Sequence, residues 1–258
     1  MTTREGIGMR PRYRGLIAGA IVFAASAMPA LASTYAVNPT QVVLSAQTTS
    51  RLVILQNLST EALRFQVTAF RWDQSPQGEM ILEPTRDIVA FPSLLTIEAG
   101  QQRTVRVGFT GVAGNVEASY RIFVEELPPD AGDRPAGEGI RVLTRTGIPV
   151  FMQPKQPAGR MELSQVEVQG GRVTFALRNT GNVHVLPQSI HLQGVSRTGA
   201  VMLDREEKGW YLLAGGQRNY HFEIPPQSCD GLTSLQAKVV VAGHTLEERL
   251  TTPLQCGR

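Results

Sequence analysis

Side chains that could perform chemistry are present in this sequence, but they are not arranged for catalysis. The sequence contains no G-x-S-x-G nucleophile motif and no G-x-x-x-x-G-K-S/T phosphate-binding loop. Its paired carboxylates are adjacent residues, and neighbours on a β-strand point to opposite faces, so a pair cannot act on one substrate bond. These pairs are Glu125-Glu126, Glu206-Glu207 and Glu247-Glu248. We therefore predict a binding protein that is not an enzyme and that uses no cofactor and no small-molecule substrate.

Residue types that bind metals are also sparse. A zinc site needs several Cys, His or carboxylate ligands close together, and the sequence has no H-E-x-x-H motif and no histidine closely paired with a cysteine. The histidines are His184, His191, His221 and His244. We predict no metal site and expect each histidine to be an ordinary surface or half-buried residue.

The N-terminus has the order of a secretory signal peptide. Arginines up to Arg14 precede the apolar or small residues Leu16–Ala27, and Ala30-Leu31-Ala32 follows. The alternative is a membrane anchor, but this run at about 1.5 Å per residue is too short for a hydrocarbon core of roughly 30 Å. We predict that residues 1–32 are a cleaved signal peptide, with cleavage between Ala32 and Ser33, and that the mature protein does not insert into a membrane.

The early arginines also explain the formal net charge of +3. After residue 32 the chain has equal numbers of basic and acidic residues. A neutral chain has no overall field to attract nucleic acid, so we predict no nucleic-acid partner. Export would place the two cysteines, Cys229 and Cys256, in an oxidising compartment, and we expect them to form one disulfide.

The rest of the chain has the apolar period of β-strands. Short segments rich in Val, Phe, Ile and Thr are bounded by Gly, Pro, Asn or Ser, and turn signals recur every eight to twelve residues or so, which is typical of antiparallel sandwiches. The clearest segments are Arg51–Gln56, Leu63–Phe70, Arg103–Phe109, Tyr120–Glu125, Arg172–Leu177 and Leu235–Val241. No segment has apolar residues at helical spacing without a helix-breaking residue among them. The sequence predicts an all-β protein.

About fourteen strands are too many for one sandwich of about seven and suit two. The pattern is interrupted at Gln153–Arg160, which contains two prolines, a glycine and two cations. We therefore predict one domain at 33–154, a linker at 155–160 and a second domain at 161–258. A single barrel is the alternative.

The most informative segment is Glu138–Pro154, an extended pattern much longer than an ordinary strand of about five or six residues. One face carries Ile140, Val142, Thr144 and Ile148. Pro149 cannot donate to a ladder, which places this segment at an edge or a bulge. A long apolar edge strand suggests pairing with another chain. The alternative is that this strand closes its own sandwich and that its apolar face is core.

These residues resemble the periplasmic pilus (fimbrial) chaperones, which have two immunoglobulin-like domains. The similarity is close in the first domain, and the Pro149-Val150-Phe151 ending is more like the archaic branch, which serves spore-coat-U-like or Csu-type pili. The landmarks occur in the family's order: Val37–Leu44, Leu52–Asn57, Phe91-Pro92, Leu95–Val107, Tyr120–Pro129 and Ile148–Phe151 before Pro154.

The resemblance implies donor-strand complementation, in which the last strand of the first domain adds to a pilus subunit that lacks its own final strand. Such a subunit exposes an unpaired edge and apolar surface, and an added strand satisfies both. Family position places the donor side chains at Ile140, Val142 and Thr144, with Ile148 following on the same face.

The family also holds the subunit's C-terminal carboxylate with an arginine in the opening strand and a lysine late in the donor strand. Those positions fall on Gln41 and Pro149 in this sequence, and neither side chain carries charge. Gln41 could still donate an amide hydrogen bond. Arg145, Arg141 and Arg121 are candidates for a charge-assisted bond.

The sequence therefore predicts two immunoglobulin-like sandwiches in tandem after a cleaved signal peptide. Following the resemblance, we expect a periplasmic chaperone that binds pilus subunits and delivers them to an outer-membrane usher. The alternative is an exported two-domain immunoglobulin-like structural or adhesive protein without chaperone activity.

Overall fold

The computed structural model describes residues 34–129, 142–229, 231–241 and 244–251. Within them the chain is almost entirely β-structure, with one short helix. No helix in these residues is long and apolar enough to span a membrane. The predicted cleavage site at Ala32–Ser33, the predicted donor Ile140, Arg141 and Cys256 lie outside the described residues.

The first sandwich contains ten strands in two sheets. One sheet has the order β1-β3-β8-β6, and the other has the order β2-β10-β9-β4-β5, with β7 also paired to β4. The strands are β1 (Tyr35–Asn38), β2 (Val42–Leu44), β3 (Ser50–Asn57), β4 (Leu63–Gln74), β5 (Met80–Pro84), β6 (Ile88–Phe91), β7 (Leu94–Ile97), β8 (Gln102–Phe109), β9 (Ala118–Leu127) and β10 (Arg145–Met152).

The second sandwich has two further sheets. In one sheet, β13 pairs with β11, with β12 and with β16. The other sheet has the order β15-β14-β17-β18. The elements are β11 (Met161–Leu163), β12 (Glu167–Gln169), β13 (Arg172–Asn179), β14 (Pro187–Ser196), β15 (Val201–Lys208), β16 (Gln217–Glu223), α1 (Pro226–Cys229), β17 (Leu232–Val241) and β18 (His244–Thr251). The prediction of two tandem β-sandwiches is confirmed.

Alternation along the strands builds a separate core in each sandwich. In β9, Tyr120, Ile122 and Val124 point into the first core and are almost fully buried. In β17, the inward residues of the second core are Leu235, Ala237 and Val239. The predicted linker 155–160 lies between β10 of the first sandwich and β11 of the second.

A buried asparagine closes a corner of the first sandwich. Asn57, the last residue of β3, is fully buried. Its Nδ2 donates to the carbonyl oxygens of Glu61 at 2.7 Å and Ile97 at 2.9 Å. Its Oδ1 accepts the N–H of Ser59 at 2.9 Å. The side chain thus provides hydrogen-bond partners for the backbone C=O groups of Glu61 and Ile97 and for the N–H group of Ser59.

The second sandwich repeats this corner at Asn179, the last residue of β13. Its Nδ2 donates to the carbonyl oxygens of Val183 at 2.8 Å and Leu212 at 3.0 Å, and its Oδ1 accepts the N–H of Gly181 at 2.9 Å. The sequence offsets to the first acceptor and to the donor are the same as at Asn57. The two sandwiches therefore have the same asparagine hydrogen bonds at equivalent strand ends.

A matching turn faces each asparagine corner. The sequence A-G-Q-Q-R at 99–103 leads into β8, and A-G-G-Q-R at 214–218 leads into β16. Gly100 and Gly215 both have φ of 71°, a conformation that favours glycine. Each turn offers a carbonyl to its asparagine's backbone N–H, from Gln101 to Asn57 and from Gly216 to Asn179. This internal repeat is not among the features predicted from the sequence.

The predicted long strand at Glu138–Pro154 is shorter in the structure. The described part begins at Val142, which forms an isolated bridge, and the regular strand β10 begins only at Arg145. Thr144 is instead bound to the buried Glu126, whose Oε2 accepts from the Thr144 N–H at 3.4 Å and from its hydroxyl at 3.3 Å. The Glu126 backbone N–H also donates to the Thr144 carbonyl oxygen at 2.9 Å, so the contact with β9 continues to Thr144 although the regular strand begins at Arg145.

Candidate functional site

The first half of β10 has an open edge. β9 pairs with β10 along its whole length, from Arg145 to Met152, whereas β2 pairs only with Val150–Met152. Residues Arg145–Pro149 therefore have a neighbouring strand on one side only, among the residues that the structure describes. An open edge offers backbone N–H and C=O groups to another chain. At Pro149 the edge lacks an N–H group.

The inward face of β10 belongs to the protein's own core. Ile148 is 1% exposed and Val150 is fully buried, both in the first core. The hydroxyl of Thr146 lies 2.7 Å from the Tyr35 hydroxyl. The prediction that Ile148 contacts a subunit therefore needs correction: alternation gave the right face, but the sandwich itself occupies that face from Thr146 onward.

Exposed apolar side chains precede the open edge. Val142 is 51% exposed and Leu143 is 42% exposed. Val142 is a predicted donor residue, whereas Leu143 was not predicted. Thr144, also a predicted donor, is half-buried and held by Glu126. Among the described predicted donors, only Val142 presents an exposed apolar side chain next to an open edge.

An aromatic cluster joins the two sandwiches beside the far end of β10. Trp72 and Phe151 of the first sandwich and Leu213 of the second are buried together. The ring of His184 stacks on Phe151, with centroids 3.7 Å apart. Burial of these rings on both sides fixes a contact between the domains.

A buried carboxylate bridges the domains next to this cluster. Glu117, which precedes β9, has a fully buried side chain. Its Oε1 accepts the backbone N–H of His184 at 2.9 Å and lies 2.7 Å from the His184 Nδ1. Its Oε2 has no hydrogen-bond partner among the described residues. His184 is half-buried, which agrees with the prediction of a surface or half-buried residue, and it lies in the contact between the domains.

Gln41, a predicted carboxylate anchor, lies between β1 and β2 and contacts the second sandwich. Its Oε1 accepts the hydroxyl of Tyr211 at 3.1 Å. Burial raises the pKa of Tyr211, and the nearby Arg121 partly offsets this rise. The Tyr211 hydroxyl is thus a neutral donor, and Gln41 is half-buried with its amide oxygen occupied.

Arg145, a second predicted anchor, is exposed on the outer face of β10. Its guanidinium carbon lies 3.9 Å from the centroid of the Phe123 ring, and its Nε lies 3.6 Å from Glu125 Oε2. Both members of this ion pair are about half exposed. Such a pair contributes little to stability, so Arg145 can turn toward a partner at low cost.

Arg121 is the buried cation of this face. It is 6% exposed, and its guanidinium carbon lies 4.7 Å from the Trp72 ring centroid and 5.7 Å from that of Trp210. Nη1 donates to the sulfur of Met80 at 3.1 Å, and no hydrogen-bond partner for the buried Nε occurs in the part of the chain that the structure describes. Burial lowers the pKa of Arg121. In the β-ladder Arg121 is directly opposite Pro149.

The opposite sheet of the first sandwich also has exposed apolar side chains. On its outer face Leu52 and Phe91 both flank Arg106, and Val89 flanks Gly108. Phe91 is 73% exposed, and Leu52 and Val89 are each about half exposed. This second surface, which we call the Phe91 surface, consists of Leu52, Val89, Phe91 and Arg106. Its strands, β3, β6 and β8, belong to the sheet that does not contain β10.

The predicted disulfide is partly outside the described residues. Cys229 ends the short helix α1, is 8% exposed and is disulfide-bonded. The pairing of Cys229 with Cys256 stays a prediction because Cys256 is not among the described residues. No cluster of three or more His, Cys, Asp or Glu residues that could hold a metal occurs in the described parts of the chain.

Comparison with solved structures identifies the same two-domain fold in fimbrial chaperones. A chain of the CsuC–CsuE chaperone–tip adhesion subunit complex, from archaic Csu pili of Acinetobacter baumannii, is 18% identical, with a TM-score of 0.57 over 83% of this chain and 98% of that chain. The E. coli chaperone DraB is 17% identical, with a TM-score of 0.52 over 85% and 98%. The Pseudomonas aeruginosa CupB2 chaperone is 16% identical, with a TM-score of 0.51 over 84% and 100%.

At these identities the likeness shows the fold. No curated protein matches the sequence. The family model of the pili and flagellar-assembly chaperone, PapD N-terminal domain, matches residues 34–158, which include the whole first sandwich and the open edge of β10. This first domain therefore belongs to the family of pili and flagellar-assembly chaperones, PapD N-terminal domain.

Proposed function

We propose that this protein is a periplasmic chaperone that binds unassembled pilus subunits by donor-strand complementation and delivers them to an outer-membrane usher. The open edge of β10, next to the exposed Val142 and Leu143, is the observation that carries this proposal. A subunit that lacks its last strand needs both a backbone ladder and apolar side chains, and this segment offers both.

The donor side chains in this proposal are Ile140 and Val142, with Thr144 as a smaller third. Two solved neighbours contain a chaperone together with a tip subunit or a pilin, which supports a subunit as the partner here. The likeness to the chain from archaic Csu pili and the Pro149-Val150-Phe151 ending support membership of the archaic branch.

We further propose that Gln41, Arg145 and Arg141 help to hold the subunit's carboxylate, with Arg145 contributing most. Arg145 is exposed on the outer face of the open strand, whereas Gln41 has only its amide N–H groups left to donate. We also propose that the Phe91 surface contacts the usher, because its apolar side chains are exposed and it lies on the sheet that does not contain β10.

Capture of the subunit tests the function. The tagged protein, purified from the periplasm of cells that produce the pilus, should bring down a small β-sandwich subunit at one to one. Ile140→Asp and Val142→Asp should abolish this capture because each places an unpaired charge in an apolar groove. Val201→Asp is the matched control: Val201 is 56% exposed against 51% for Val142, but lies on β15.

A thermal melt of each variant alone separates the two interpretations of this strand. If the side chains are donors, the melts should be close to that of the parent while capture is lost. Collapsed melts for Ile140→Asp and Val142→Asp would mean that these residues are core. Self-association with no captured subunit would favour the structural or adhesive alternative.

A further inference from the structure

A groove opens in the first sandwich where the chain crosses from one sheet to the other. β1 pairs with β3 only as far as Asn38, which lies opposite Ile54, and the chain then enters β2 in the other sheet. On the β1 side of β3, residues 50–53 therefore have no neighbouring strand among the described residues. The groove beside them has a volume of about 640 Å³. Its lining includes Pro39, Val43, Ser50, Arg51, Leu52 and Arg106.

The uncovered stretch of β3 presents free backbone groups to this groove. The N–H of Phe109 donates to the carbonyl oxygen of Thr49, so in the ladder with β8 the odd-numbered residues of β3 direct their backbone groups to β8. Ser50 and Leu52 direct theirs to the opposite side. No backbone partner for these groups occurs in the part of the chain that the structure describes. An edge of this kind can accept an added strand.

The charged side chains of the groove are both arginines. Arg51 and Arg106 are exposed, and none of the lining residues is acidic. Arg106 Nη1 donates to Ser50 Oγ at 3.2 Å, which holds this guanidinium beside the uncovered stretch. Neither arginine forms an ion pair with a carboxylate of the described residues. The groove therefore has a local positive charge that complements an acidic ligand.

The side chains of β3 define the pattern that an added strand would need. Leu52 is 50% exposed on the outer face, and Val43 across the groove is 36% exposed. In a strand added antiparallel to β3, as β1 is, the residue opposite Leu52 would point to the outer face beside it. The residue opposite Arg51 would point to the other face, beside Arg51. The matching pattern is an acidic residue between two apolar residues.

We propose that this groove binds an extended segment of a partner protein in which an acidic residue lies between two apolar residues. The segment continues the line of β1 along β3, its backbone pairs with Ser50 and Leu52, and its carboxylate binds Arg51. The inference goes beyond the proposed function and does not depend on a chain at β10. Leu52 and Arg106 also belong to the Phe91 surface, so the groove continues that surface to the edge of its sheet.

The test uses short blocked peptides with the full two-domain protein. The probe is acetyl-Thr-Val-Glu-Val-Thr amide, and backbone NMR follows the Ser50 and Leu52 amides during titration. We expect saturable shifts at both amides. The peptide with glutamine in place of glutamate should bind about fivefold more weakly, since solvent offsets part of an exposed charge contact.

N-methylation of the peptide tests the backbone ladder separately from the charge. In the proposed register the two valine N–H groups point to β3 and the glutamate N–H points away. The peptide with both valines N-methylated should therefore cause no saturable shift. The peptide with only the glutamate N-methylated is the matched control, and it should bind like the probe.

Protein variants test the two arginines. Arg51→Gln and Arg106→Gln should each weaken probe binding about fivefold. Arg103→Gln is the matched control, because Arg103 is an exposed arginine of β8 that does not line the groove, and it should bind like the parent. All three side chains are exposed, so the variants should melt like the parent.

Equal binding of the glutamate and glutamine peptides, or unchanged probe binding by both Arg51→Gln and Arg106→Gln, would overturn the proposal. Shifts at Ser50 and Leu52 that follow protein concentration and do not respond to the peptide would also overturn it, because they would assign the groove to a second copy of this chain. None of these results affects the proposed function, which fails only if the parent captures no subunit or if Ile140→Asp and Val142→Asp capture it normally.

Discussion

Asn57 in the first sandwich and Asn179 in the second make the same three kinds of hydrogen bond at the same corner. The open edges of the two sandwiches, however, carry different residues. In the first, half of β10 lies open beside exposed Val142 and Leu143. In the second, the edge strand β15 is also paired on one side only, with β14, but it ends in the charged run 204–208.

The asparagine corners are required by the fold of both sandwiches, whereas the residues at the open edge differ between the sandwiches and reflect function. Both sandwiches need their corners, because buried backbone groups must be paired in each. Charged residues on β15 discourage edge pairing in the usual way. The open half of β10 carries one charged residue, Arg145, and the omission of further charges there suits a strand that accepts another chain.

The largest stability effect should come from the contact that couples the two sandwiches. His184→Ala removes the Nδ1 partner of the buried Glu117 and the ring stacked on Phe151. We expect a loss of about 3 kcal/mol in the free energy of unfolding. Calorimetry should then show the domains melting separately. His191→Ala, at a more exposed histidine paired with Asp204, should change stability by less than about 0.5 kcal/mol.

Removal of either asparagine side chain should lower the free energy of unfolding by nearly the same amount. Asn57→Ala and Asn179→Ala each leave buried carbonyl groups without a donor, so we expect about 2 kcal/mol of destabilisation for each. Chemical denaturation of the variants measures this. Gln56→Ala and Arg178→Ala, at the exposed preceding residues, are the controls. A large loss at one corner and none at the other would contradict the equivalence of the sandwiches.

Smaller effects should appear in subunit capture when the carboxylate contacts are removed. Arg145→Ala should weaken capture about tenfold, since a charge-assisted hydrogen bond contributes roughly 1.5–3 kcal/mol and solvent offsets part of it. Gln41→Ala should weaken it about fivefold, as expected for one neutral bond of about 1 kcal/mol. Equilibrium binding to the purified subunit measures both. Unchanged affinity in both variants would place the anchor elsewhere.

The fold was predictable because strand alternation is local: the period of two between Tyr120 and Glu125 places Tyr120, Ile122 and Val124 on the core face of β9. Local alternation also placed Ile148 on the right face of its strand. It could not say whether that face meets a subunit or the protein's own core, because this depends on the sheet that packs over it.

The contacts between the domains could not be predicted from the sequence, because the residues that form them lie far apart in the chain. Glu117 and His184 are 67 residues apart, and Gln41 and Tyr211 are 170 apart. No local pattern links such pairs. Arg121 was a candidate by residue type, but its burial between the indole rings of Trp72 and Trp210 depends on how β9 and the second sandwich meet. The repeated A-G-x-Q-R turn was visible in the sequence and could have revealed the equivalent corners.

Hydrogen–deuterium exchange on the chaperone with and without its captured subunit tests the role of the open edge most directly. If the subunit adds a strand to β10, the amides of Arg145 and Gly147, which face the open edge, should exchange at least tenfold more slowly in the complex, while those of β15 and β18 stay unchanged. Unchanged exchange at Arg145 and Gly147, with new protection on β15 or β18, would contradict donor-strand pairing at β10.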